Sequence, residues 1–109
     1  MSVEIAKLYF DYWNKRDLSG LMSIFAQDIV LKDWDGTHQG CLAVLDANSD
    51  IFKNQPNIKI KVLDIAFTND KHKIMAELEI YIDKEIKIDV VDILSFNDNK
   101  IIDIKAYKL

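Results

Sequence analysis

Apolar residues fall on two different periods along the chain, and the change of period divides it. From Val3 to Lys15 the residues Ile5, Leu8, Tyr9, Tyr12 and Trp13 recur at spacings of three and four, with Glu4, Lys7, Asp11 and Lys15 largely outside the stripe. That period predicts an amphipathic helix. Asp17 reads as an N-cap, because its short side chain accepts a backbone N–H that has no partner inside the first turn. The helix it opens runs from Leu18 to Ala26, turns Leu18, Leu21, Met22 and Phe25 inward, and is broken by Asp28. A strand follows from Ile29 to Trp34. The stretch Asp35–Gly40 is polar and carries Gly36 and Gly40, which predicts a loop. Helical spacing returns from Cys41 to Lys53 through Cys41, Val44, Leu45, Asn48, Ile51 and Phe52, and Pro56 closes it.

Beyond Pro56 the chain is strand-like. The runs Ile58–Phe67, Lys73–Ile82, Ile86–Phe96 and Ile101–Tyr107 are rich in Ile and Val and are joined by short turns. Three N-terminal helices ahead of an antiparallel meander predict an α+β domain, with the helices packed on one face of a curved, mainly antiparallel sheet.

Composition narrows what such a domain does. The 109 residues are 50% hydrophobic, enough for one core and one domain over residues 1–109. With Gly 3 and Pro 1, turns rest on Asn and Asp instead, in Asn69-Asp70, Asp83-Lys84 and Asn97-Asp98-Asn99. The net charge of −4, with basic residues scattered, argues against nucleic-acid binding. No apolar run approaches the roughly 20 residues that span a bilayer, and no signal-type segment opens the chain, so no membrane partner is expected. The single thiol, Cys41, excludes an internal disulfide and suits a cytoplasmic location.

Three polar residues interrupt apolar patterns, and burying them costs free energy. In Ile86–Phe96 the even positions are Ile86, Ile88, Val90, Asp92, Leu94 and Phe96, so alternation turns the Asp92 carboxyl toward the core, while Asp89 falls on the other face with Lys87 and Ser95. Asp92 reads either as a carboxyl held protonated to donate a hydrogen bond or as a satisfied core aspartate, and the apolar Val91 and Ile93 leave the opposite parity open. In Ile29–Trp34, Asp33 shares a face with Ile29 and Leu31 at the strand's end; it reads either as a cavity-rim carboxylate or as the residue that starts the turn before Gly36. Tyr9 lies on the first helix's apolar stripe, where its hydroxyl needs a partner or a ligand.

The order helix, helix, strand, loop, helix, meander, together with Tyr9, the run Asn14-Lys15-Arg16-Asp17-Leu18-Ser19-Gly20-Leu21 and the ending Val91-Asp92-Ile93-Leu94-Ser95-Phe96-Asn97-Asp98-Asn99-Lys100-Ile101, resembles the NTF2-like superfamily. The similarity is greatest to its SnoaL-like and ketosteroid-isomerase-like branch and covers nearly the whole chain. It implies a cone-shaped scaffold in which Tyr9 and a protonated Asp92 form an oxyanion hole and Asp33 is the general base. The implied enzyme is a cofactor-independent isomerase or cyclase that moves a proton next to the carbonyl of a small apolar ligand. The alternative is a non-catalytic ligand-binding or dimerisation module, since this scaffold hosts many activities. Trp13, Phe25, Trp34, Asn48, Phe52 and Phe96 are expected to line the ligand pocket, with Phe67 a further aromatic candidate.

The chain departs from that pattern in its length, its abbreviated Trp34–Gly40 loop, Trp34 where a proline usually follows the base, and Asn48 where an aromatic often sits. A different or smaller pocket is the consequence, which argues against a steroid and leaves a smaller carbonyl compound or polyketide-like ring. His38 is a further candidate, because relatives of the fold include dehydratases with a His–Asp pair; His72 is expected in an exposed turn. His38, Asp33 and Asp35 show no recognised metal-ligand spacing, and no metal is expected. The family also implies a homodimer through the sheet. The odd-numbered face offers Lys61, Leu63 and Ile65, then Met75, Glu77 and Tyr81, then Val91 and Ile93.

Overall fold

A computed structural model describes residues 2–109. Helix α1 spans Ser2–Asn14 and α2 spans Leu18–Ile24; strands β1 (Phe25–Asp33) and β2 (Gly36–Gln39) form a hairpin; helix α3 (Cys41–Asn54) follows. The rest is the meander β3 (Lys59–Phe67), β4 (Lys73–Tyr81), β5 (Lys87–Asn97) and β6 (Lys100–Lys108). The sheet order is β2-β1-β6-β5-β4-β3, and every neighbouring pair is antiparallel except β1–β6. The result is a mixed, open six-stranded α+β sheet with three helices. Among the described residues no helix is long and apolar enough to cross a membrane.

Sequence and structure differ at identifiable points. The helices are not all N-terminal, because α3 follows the β1–β2 hairpin. Gly36–Gln39, expected as loop, pairs with Val30–Asp33; four residues without apolar alternation carry no strand signal of their own. Helix α2 ends at Ile24 rather than Ala26, since Phe25 is already extended and pairs with Ile101. Trp34 lies in the tight turn after β1.

The face toward the helices carries the core. The alternation predicted for β5 holds: Val90, Asp92, Leu94 and Phe96 are buried while Lys87, Asp89 and Val91 are exposed. In β3 a bulge between Val62 and Asp64 inverts the alternation. Ile65 therefore sits opposite the buried Ala76 and packs on the core, which removes it from the odd-numbered outer face.

Helix α1 is tied to the far edge of the sheet by polar contacts. Asn14 accepts from the Ile60 N–H at 2.7 Å and donates to the Ile60 carbonyl at 2.8 Å, taking the place of a neighbouring strand on β3. Arg16 donates to the carbonyls of Pro56 and Ile58. Asp17 caps α2 as expected, accepting from Gly20 N at 2.9 Å.

Gly20 is where α2 meets α1: a Cβ there would lie 2.5 Å from Tyr12 Cδ1 and 2.7 Å from its Cγ. Alanine favours a helix interior over glycine by about 1 kcal/mol, but this contact reverses the sign. Gly20→Ala is expected to destabilise the protein by roughly 1–3 kcal/mol in urea unfolding, and Tyr12→Ala in the same chain to recover most of the loss. A Gly20→Ala protein as stable as the parent would show that the ring does not fix the approach of the two helices.

Candidate functional site

A cavity of about 220 Å³ opens between α1, α3 and the inner face of the sheet. Its walls are mostly aliphatic, with Ile60, Ile80, Ile88 and Ile104 supplied by four strands. The strands also create the space. On β5, Asp92 has Ala76 as its cross-strand neighbour on one side and Ala106 on the other, so small side chains flank the carboxyl.

Tyr9, Asp33 and Asp92 all line this cavity. Tyr9 reaches it from α1, its ring packed edge-on against Phe10 at 5.0 Å and against Phe25 at 6.1 Å. Asp92 is 5% exposed and Tyr9 4%. Among the described residues neither the Tyr9 hydroxyl nor the Asp92 carboxyl has a hydrogen-bond partner, and neither is sealed from the cavity. Burial pushes the Asp92 carboxyl up to about 7, and the negative charge of Asp33 adds to the push. Burial also holds the Tyr9 hydroxyl well above the ordinary phenol range, with Asp92 reinforcing it. Both groups are thus donors at mildly acidic pH, aimed into an apolar space.

Asp33 sits at the other end, where β1 runs into its turn. Its Oδ1 accepts from the N–H groups of Asp35 at 2.8 Å and Gly36 at 3.1 Å. Both sequence readings of Asp33 therefore apply, since it starts the turn and faces the cavity. Among the described residues Oδ2 takes no hydrogen bond. Trp34, 43% exposed, stands beside it at the mouth with the Lys108 ammonium 5.2 Å from its ring centroid.

The other expected lining residues divide. Trp13 and Asn48 are in the wall and joined, the indole N–H donating to Asn48 Oδ1 at 3.1 Å. Phe25, Phe52 and Phe96 lie outside the cavity lining. Phe25 packs against Tyr9, Phe52 packs edge-on against Trp13 at 4.9 Å, and Phe96 borders a separate surface cleft at the chain's N-terminal end, together with Phe67. Phe25 and Phe52 support the wall from behind, a distinction composition does not carry, because core and cavity draw on the same side chains. His38 stands half-buried on β2 opposite Leu31 and is not in the wall; His72 is exposed. Gln55 at the rim carries no sequence signal, and Asp35, weighed in the sequence only beside His38 and Asp33 for metal binding, lies in the lining as well. Among the described residues no group of His, Cys, Asp and Glu gathers in a way that would hold a metal ion.

Solved structures share this architecture. A candidate polyketide cyclase from Sinorhizobium meliloti superposes with a TM-score of 0.86 at 20% identity, covering 97% of this chain and 98% of the other. A candidate ketosteroid isomerase from Kribbella flavida gives 0.84 at 15% identity, covering 99% and 77%. An NTF2-like protein of unknown function from Cytophaga hutchinsonii gives 0.86 at 8% identity, covering 100% and 90%. No curated protein matches the chain. At these identities the likeness establishes an NTF2-like fold. The SnoaL-like domain model matches residues 6–104, and the chain, with its helices laid over a curved sheet around an acid-bearing cavity, belongs to the SnoaL-like domain family.

Proposed function

We propose that the protein is a cofactor-independent enzyme of the ketosteroid-isomerase or cyclase kind, moving a proton next to the carbonyl of a small apolar ligand. The observation that carries this reading is the pair of buried, unpartnered donors, Tyr9 and Asp92, at the same cavity as the carboxylate of Asp33. Both groups open onto the cavity without a protein partner, and a ligand oxygen that becomes an oxyanion would use both. Asp33 Oδ2 takes the proton from the carbon beside the carbonyl, the electron pair moves onto oxygen, and Tyr9 and Asp92 donate to the resulting enolate. The proton then returns from Asp33 to another carbon, leaving every group as it began. A cavity below the roughly 300–1,000 Å³ of drug-sized sites points to a compact ligand rather than a steroid.

The Asp33 turn bonds favour a second reading, a ligand-binding module in which Asp33 only holds the hairpin. Exchange kinetics separate the two. Asp33→Asn is expected to retain binding of a naphthol, an enolate mimic, while losing exchange of α-protons of cyclic enones into heavy water; exchange retained in that variant would leave the module as the reading.

The protonated form of Asp92 is the donor, so naphthol affinity is expected to fall about tenfold per pH unit above about 7. Asp92→Asn, which cannot ionise, removes that pH dependence, and an identical profile in the variant would exclude Asp92 from the oxyanion hole. Stability follows the same group. Its folded-state value lies above the ordinary 3.8, so between 3.8 and about 7 the native protein binds more protons than the unfolded chain. Wild type therefore loses stability relative to Asp92→Asn as pH rises through that window, at up to roughly 1.4 kcal/mol per pH unit. Parallel urea midpoints for the two proteins from pH 4 to 7 would contradict a raised Asp92.

The outer face of the sheet supports a homodimer. Val91 lies opposite Tyr107 and Met75 opposite Ile93, an apolar strip bordered by Lys61, Glu77 and Asp89. Charges of both signs around one apolar patch suit a two-fold pairing with a second copy. Val91→Glu is expected to convert a dimer to a monomer in sedimentation; unchanged mass would move the interface elsewhere.

A further inference from the structure

Asn48 and Asp92 are the two polar residues buried in the described chain, and both wall the same cavity. Asn48 is not fully used by the protein. Its Oδ1 accepts from Trp13 Nε1 at 3.1 Å and its Nδ2 donates to the Val44 carbonyl at 3.1 Å. An amide oxygen has two lone pairs and its nitrogen two hydrogens, so one acceptor and one donor position remain. A half-satisfied amide in an aliphatic wall is costly unless something occupies that remainder.

We infer that Asn48 is a specificity-determining residue, and that the cavity takes a one- or two-ring carbonyl compound whose carbonyl oxygen meets Tyr9 and Asp92 and whose separate hydroxyl meets the Asn48 amide. The inference rests on the function proposed above and extends it to the substrate's second polar group. A hydroxyl is the matching group, because it accepts from the spare N–H and donates to the spare lone pair at once. Spacing sets the size. Tyr9 and Trp13 are one turn apart on α1, about 6 Å along its axis, and Asn48 is bonded to the Trp13 indole. That separation and the volume of about 220 Å³ match one or two rings and leave no room for a longer polycyclic skeleton.

The competing account is that Asn48 serves only to satisfy the Trp13 indole. Calorimetric titration of naphthol and of a dihydroxynaphthalene with its hydroxyls on opposite rings distinguishes them. In wild type the second hydroxyl is expected to tighten binding about tenfold, and in Asn48→Leu that gain vanishes. Because Asn48→Leu orphans the indole N–H, the comparison is repeated as Trp13→Phe against Trp13→Phe/Asn48→Leu, where no indole N–H is left to orphan; the gain persists in the first and is absent from the second. Equal affinity for the two probes in wild type, or the same gain with and without Asn48, overturns the inference. Naphthol binding that is indifferent to Asp92→Leu overturns the oxyanion-hole reading instead, while the Asn48 comparison still decides this one. Absence of any binding overturns both.

Discussion

The site depends on a carboxyl group held inside an aliphatic sheet with no partner to offset its desolvation. Folding alone does not favour this: an apolar residue at position 92 of β5 would pack against Val90 and Leu94 without cost. The surrounding strands are arranged for the carboxyl nonetheless. Ala76 and Ala106 flank it, and the half-buried Ile80, Ile82 and Ile88 line the open end of the sheet while Ile74 and Leu94 fill the closed end. The helices are prevented from collapsing onto this space by contacts made elsewhere. Asn14 and Arg16 fasten α1 to the β3 edge and the segment before it, so Tyr9 is delivered to the cavity by anchors more than a helical turn away.

One acid at the cavity acts on the other. The charge on Asp33 is the second cause, after burial, of the raised Asp92 value. In the proposed cycle the Asp33 charge thus helps keep Asp92 protonated, the condition under which proton abstraction and oxyanion stabilisation would operate together. Once Asp33 has taken a proton its charge is gone and that part of the push on Asp92 relaxes, at the step when the substrate oxygen has become the strongest acceptor in the cavity. The coupling runs in the direction the proposed cycle requires, without any movement of the backbone.

Much of this was legible in the sequence, for reasons specific to each element. Asp92 was placed by alternation because β5 is long and its even positions are aliphatic on both sides of the acid. Tyr9 was placed by a helical stripe that runs the length of α1. Strand β2 was not visible, since Gly36–Gln39 pairs through backbone alone and its order is imposed by β1. The bulge in β3 was not visible either, and one extra residue there was enough to turn Ile65 from the outer face to the core. Phe25, Phe52 and Phe96 read as lining in the sequence because an aromatic that faces the cavity, one that stands behind its wall and one that borders another cleft have the same sequence signature.

Asp33 shows how one side chain serves the fold and leaves room for chemistry. A carboxylate has two oxygens, and the short turn at Trp34-Asp35 engages only Oδ1, through two backbone N–H groups. Those bonds fix the plane of the carboxylate, so Oδ2 is held in a defined direction at the price of no additional side chain. A longer loop would need its own packing to achieve the same order. The short connection is therefore compatible with a positioned base. It also leaves a short cavity wall, in keeping with the small volume behind it, with Trp34 at the mouth and the Lys108 ammonium against its ring.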